Sequence, residues 1–240
     1  MWEVMPGLAD KADSIEGEEQ GYLFHTNHCL VKQAVSVLPK YAPYERLANV
    51  VFGLSFFSWA WFGLTLPADA GSLVRWCIAA LHVTAGFLIL SRAPTHSESS
   101  WQELAGCLPA FIAAGLVFQF AQPTDAWPIG PQFLFLAATL FSIVSLIFLG
   151  QNFAVFPAIR SVVLRGPYSL IRHPAYAGEV GLLASCVWAG WNQPLAWLAF
   201  VFAILCLVIR ILIEERKLLQ NDAYNEYCQR VQWRILPGIW

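Results

Sequence analysis

Two segments of the 240-residue chain hold most of the side chains able to do chemistry. The first, GPYSLIRHPAYAGE (166–179), offers Tyr168, Arg172, His173, Tyr176 and Glu179 around the turn formers Gly166 and Pro167. Pro174 suits the first position of a helix, where a missing N–H leaves nothing unsatisfied, so a helix is expected to begin just after His173. Its free N–H groups would then offer an anion site near His173. Tyr176 and Glu179, three apart, share a face of that helix. The second segment, RILIEERKLL (210–219), sets Arg210 and Glu214 four apart on one face, about a turn from the membrane boundary. An arginine at that depth is costly without a partner, which makes Arg210 a candidate for holding an anionic ligand. Snorkelling to the interface, or pairing with Glu214, accounts for its position equally well.

The elements that must position these residues follow from composition. Apolar residues make up 58% of the chain and charged ones 12%, half the charged share of a soluble domain, so the fold class is an all-α, multi-pass transmembrane bundle. Charge-free windows long enough to span a bilayer lie at 47–67, 104–121 and 131–150, and 71–90 carries only Arg75. The 30 uncharged residues of 180–209, broken by Asn192, Gln193 and Pro194, read as a helical hairpin, which brings the spans to six. Twelve of the fourteen Lys and Arg then share one side with both termini, Arg75 alone lies opposite, and Arg210 is inside the last span. This bias places both termini in the cytoplasm, and the protein in the inner membrane if the cell is bacterial. The acidic start, with no apolar core, does not read as a signal peptide. The chain divides into an N-terminal extension (1–46), N-terminal spans (47–130) and a C-terminal membrane domain (131–240) whose polar rim is cytoplasmic.

RHPxYxG, then a hairpin, then RxxxEE and the tail YNEYCQRVQWRILPGIW, resembles the isoprenylcysteine carboxyl methyltransferase and phospholipid methyltransferase family of integral membrane enzymes. The resemblance covers about residues 131–240. It implies S-adenosylmethionine as cofactor, a cytoplasmic cofactor pocket, and a lipophilic or prenylated acceptor entering from the lipid bilayer. Carried over, the family's cofactor contacts fall on Tyr168, His173, Pro174, Tyr176 and Glu214, and its substrate-contacting arginine on Arg210. Many relatives carry Phe-Gly ahead of the tail tyrosines, whereas Asn221 and Asp222 stand here. The implied reaction is an in-line methyl transfer, in which tyrosine faces and a carboxylate hold a sulfonium cation. A carboxylate acceptor needs only charge steering by Arg210, whereas an amine or phenol also needs a base among Glu179, Glu215 and His173. O-methylation of a carboxylate or hydroxyl ranks above N-methylation of a phospholipid amine.

The remaining features read more plainly. His25, His28 and Cys29 lack a fourth spaced ligand, so no metal is expected. His82 reads as a hydrogen-bonded core residue, and Tyr224 and Tyr227 as packing for the tail. Trp76, Trp101, Trp127 and Trp191 fit interfacial anchoring, and Arg216, Lys217, Arg230 and Arg234 fit contact with anionic head groups. A net charge of −2 with no basic run excludes nucleic-acid partners. The rival readings are an NADPH-dependent membrane reductase, although no dinucleotide fingerprint is present, and a small transporter, which would bury its site near the midplane.

Overall fold

A computed structural model describes residues 43–65, 72–92, 100–121, 123–153, 155 and 161–240. The candidate ligands His25, His28 and Cys29, and with them nearly all of the N-terminal extension, lie outside the described residues. Seven α-helices follow in order: α1 (Pro43–Thr65), α2 (Leu73–Leu90), α3 (Trp101–Gln119), α4 (Ile129–Leu149), α5 (Pro174–Ala189), α6 (Pro194–Leu218) and α7 (Asp222–Arg230). Among the described residues there is no strand, as expected where a segment's own backbone must satisfy its polar groups in lipid.

The first six helices fall on the apolar windows of the sequence, with one correction to the count of six spans. Four of them, α2, α3, α4 (extended by the turn to Asn152) and α6, are long and apolar enough to cross a membrane. The apolar stretch of α1, Asn49–Thr65, and the 16 residues of α5 are shorter. Pro174 opens α5 as its first residue, and the hairpin turns at Gly190–Gln193, where Gln193 N–H donates to Gly190 O at 2.8 Å. The arms of the hairpin pack less on each other than on α4, which lies against α5, and α3, which lies against α6.

Small residues set these approaches, because lipid offers no hydrophobic drive for helices to associate and close van der Waals packing must do it. A Cβ on Gly178 would stand 2.1 Å from Ser142 Oγ and 3.2 Å from Ser142 Cα, and one on Gly181 would stand 2.9 Å from Ala138 Cβ. The main core is built of Val74 and Cys77 from α2, Ala110 and Ala113 from α3, Phe135 from α4, Cys186 from α5 and Ala203 from α6. It runs on both sides of residue 130, so the N-terminal spans and the C-terminal region share one interior. Trp127 belongs to that interior, edge-on to Phe135 with centroids 5.6 Å apart, and is not an interfacial anchor. Trp76, Trp101 and Trp191 are exposed.

Each end of the bundle is tied by specific bonds. At the end holding the polar segments, Ser100 and Glu103 form a capping box on α3, and the same Glu103 carboxylate accepts from Lys217 Nζ of α6 at 2.8 Å. Lys217 is therefore buried and paired rather than turned to head groups. At the opposite end Arg75 reaches Gly63 O, and Ser72 Oγ donates to Thr124 O at 3.2 Å.

Candidate functional site

The site starts from a turn that only glycine allows. Gly166 has φ 62°, and a Cβ there would lie 2.5 Å from the Phe148 ring. This turn opens the short 3-10 segment Gly166–Ser169, which buries Tyr168. Tyr227 Oη from α7 donates to Tyr168 O at 2.7 Å and fixes the segment to the tail. The next residues pair by backbone with the tail: Arg172 N–H donates to Trp233 O and His173 N–H to Arg234 O, both at 2.8 Å. Pro174 then starts α5, buried at its first turn.

Glu215 is the hub beneath this rim. Its carboxylate, 4% exposed as a residue, accepts from Arg172 Nη1 at 2.9 Å, His173 Nε2 at 3.2 Å and Arg234 Nε at 2.7 Å. Arg172 also reaches Cys228 Sγ at 3.2 Å and Gln232 O at 3.2 Å. Burial alone would pull the Arg172 guanidinium down, but the Cys228 bond and the Glu215 charge hold its pKa above the usual value. The N-terminus of α5 is thus not an anion site for a side chain: the His173 ring makes no cap bond and is turned to Glu215 instead.

Glu214, the neighbouring acid, does something different. Its carboxylate accepts from Tyr176 Oη at 2.6 Å and forms no ion pair among the described residues. It lines a small, open cavity of about 80 Å³ together with Tyr168, Arg172, His173, Tyr224 and Tyr227. The lining tyrosines are buried, and burial raises the pKa of Tyr168, Tyr224 and Tyr227 above the ordinary phenol value. Tyr224 Oη is buried without a hydrogen-bond partner.

Arg210 stands outside that cavity. It is 6% exposed, with its guanidinium carbon 4.1 Å from the Phe111 ring centroid and 4.9 Å from that of Tyr176. Its Nη2 donates to Val155 O at 3.1 Å, and its Nε is buried with no partner. It neither snorkels nor pairs with Glu214, although the spacing of four permits that pair.

Of the residues singled out from sequence, Tyr168, His173 and Glu214 therefore meet on one cavity, Tyr176 bonds to Glu214, Pro174 opens α5 and is buried, and Arg210 lies against the Tyr176 ring without lining the cavity. Sequence reasoning missed Glu215 as the hub and Arg172 and Arg234 as its partners. Tyr224 and Tyr227, read as packing for the tail, both line the cavity. Of the basic cluster assigned to head groups, only Arg216 and Arg230 are exposed. A second, apolar cavity of about 300 Å³ lies among α1, α2 and α3 at the Arg75 end. His82 lines it and bonds through Nδ1 to Ile78 O at 2.8 Å, one helical turn back. Among the described residues no group of His, Cys, Asp and Glu could hold a metal.

No family model matches the chain. Among curated proteins it is similar to a Delta(14)-sterol reductase of Mus musculus, 30% identical over 86 residues, which is 34% of this chain. The matched part spans 20% of that reductase's length.

Proposed function

We propose that the chain is a membrane enzyme that transfers a methyl group from S-adenosylmethionine to a lipophilic acceptor. The observation that carries this reading is the charge of the cavity wall. Glu214 presents a carboxylate with one bond made and several acceptor positions left. The lining cation Arg172 is already paired to Glu215, and the rest of the polar wall is phenol, imidazole, the Asn152 amide and the Ser161 hydroxyl. Such a lining suits a cationic cofactor, which carboxylate and π-faces hold, better than a dinucleotide, whose phosphates need unpaired cations.

When bound, the cofactor supplies an electrophilic methyl on a sulfonium. Glu214 accepts hydrogen bonds from donors on it, and Tyr176 fixes the carboxylate orientation through the 2.6 Å bond. Tyr224 Oη gains the partner it lacks. Tyr168, His173 and Tyr227 shape the wall. Tyr176 touches both groups, bonding to Glu214 through its hydroxyl and lying 4.9 Å under the Arg210 guanidinium, so an acceptor beside Arg210 would lie next to a donor held at Glu214. Positioning of this kind supplies much of the rate of an in-line displacement.

A second reading is an NADPH-dependent membrane reductase, favoured by the partial match to the sterol reductase. Calorimetry on detergent-purified protein separates the two. The expected result is micromolar binding of S-adenosylhomocysteine, weakened roughly 10- to 100-fold by Glu214→Gln, as for loss of hydrogen bonds to a charged group at about 1.5–3 kcal/mol. Binding of NADPH without S-adenosylhomocysteine overturns the transferase reading and installs the reductase.

A further inference from the structure

The apolar cavity at the Arg75 end has a hydrogen-bond acceptor in its wall that nothing meets. His82 is the tenth residue of α2, so it stands roughly 13 Å along the helix from its start, near the middle of the hydrocarbon layer. Its Nδ1 bonds to Ile78 O at 2.8 Å. A carbonyl only accepts, so Nδ1 carries the hydrogen, and in the neutral ring Nε2 is left as an acceptor. Among the described residues Nε2 has no hydrogen-bond partner, and the other contact of the ring is with Phe56, centroids 5.6 Å apart. An unmatched acceptor is costly at a depth where no bulk water reaches it. The cavity it lines measures about 300 Å³, with Trp59 and Phe62 of α1, Ile78 of α2 and Phe118 of α3 in its wall. Arg75, two turns back along the same face of α2, lines the end nearer the loops and donates through Nε to Gly63 O at 2.8 Å.

We propose that this cavity binds a neutral lipid alcohol whose hydroxyl donates to His82 Nε2. The site is at the opposite end of the bundle from Glu214 and does not rest on the transferase reading. Its volume is at the lower bound of small-molecule pockets. At the roughly 30 Å³ that a water takes up in the liquid, it holds about ten heavy atoms, enough for one short chain. Water fills such a space poorly, because each molecule needs two to four polar partners and the wall is largely hydrocarbon. An alkyl chain alone would fill it but leave Nε2 unmatched. A carboxylate has no hydrogen to give to Nε2, and a carboxylate or an ammonium would carry a full charge to the middle of the layer. A hydroxyl brings the missing hydrogen without a charge, and the aromatic and aliphatic walls take the chain behind it.

The test uses the full chain in lipid nanodiscs and a decanol bearing a photoreactive diazirine in its chain, with labelled peptides mapped by mass spectrometry. Competitors are 1-decanol, methyl decyl ether and decanoic acid. The expected result is labelling concentrated in the cavity-lining parts of α1, α2 and α3. Decanol is expected to displace the probe at about a 3- to 10-fold lower mole fraction than the ether, the worth of one net hydrogen bond, and ahead of the acid. His82→Phe, which fills the same space without an acceptor, is expected to lower the affinity for the probe by a similar factor, and His82→Gln, which keeps one, to restore part of it. Melts check that both variants fold. The ether comparison reads the same bond in the wild-type chain, so it decides even where a variant does not fold. Labelling spread over the lipid-facing helices, equal displacement by decanol and its ether, preference for the acid, or undiminished binding by folded His82→Phe each overturns the assignment.

Discussion

At the scale of single residues, two adjacent acids on α6 have opposite roles because a helix turns them about 100° apart. Glu215 points into the rim and accepts from two arginines and an imidazole, while Glu214 lines the cavity with one tyrosine bond. Removing the Glu215 charge leaves Arg172, His173 and Arg234 without their anion in a mostly buried setting. Glu215→Gln is therefore expected to cost about 3–5 kcal/mol, as for the breaking of a buried pair, and to show as a lowered thermal midpoint in detergent. The tyrosines give a second prediction. Tyr168, Tyr224 and Tyr227 have pKa values raised above the ordinary value, chiefly by burial. Their neutral forms are favoured by the fold, so the stability they contribute is full below pH of about 10 and is lost as pH rises through the folded-state values. In a titration followed by phenolate absorbance, these three of the seven tyrosines stay un-ionised at pH of about 11, and they ionise together when the protein unfolds. Early ionisation of all seven would contradict the packing around the cavity.

At the scale of elements, the seam between α4 and α5 decides where the site sits. Gly178 lets Ser142 come close enough that Tyr176 and Glu179, on either side of it in α5, keep their position over α6. Any Cβ at position 178 collides with Ser142 Oγ, and the two methyl groups of Gly178→Val add to that crowding. It is expected to destabilise the fold by about 1–3 kcal/mol, the usual cost of overpacking, and to weaken ligand binding at the cavity, both read from melts with and without S-adenosylhomocysteine. Sequence was informative on this scale where a signal was local. Pro174 marked the start of α5, and the interruption at Asn192–Pro194 marked the turn to α6. The signals failed where partners are far apart along the chain. His173 meets Glu215 across 42 positions and Glu103 meets Lys217 across 114, and no periodicity reports such pairs. Arg210 illustrates the reverse failure, since its spacing of four from Glu214 permits an ion pair that the competing aromatic faces of Phe111 and Tyr176 displace.

At the scale of the whole molecule, the described helices alternate in direction and gather the polar segments at one end. Lys217 and Glu103, Arg92 and Asn49, and the Glu215 cluster are all at that end, and Arg75 is at the other. From the cation bias of the sequence the first end is expected to be cytoplasmic. Arg216, exposed beside the rim, tests the assignment. With the wild-type chain as background, Arg216→Cys is expected to react with a membrane-impermeant maleimide in inside-out vesicles and not in right-side-out ones. The opposite pattern would invert the topology and put the cavity outside the cell.

The shortness of α5 has a consequence for the surrounding lipid. Its 16 residues rise roughly 24 Å against a hydrocarbon layer of roughly 30 Å. A helix that falls short of the layer draws the leaflet inward to meet it, at a modest elastic cost per ångström of mismatch. The dent forms beside the helix that bears Glu179, whose Cα lies roughly 8 Å from the start of α5 at the helical rise. A long-chain molecule diffusing in that leaflet would ride lower beside α5, its polar head nearer the rim while its chain stays in the bilayer.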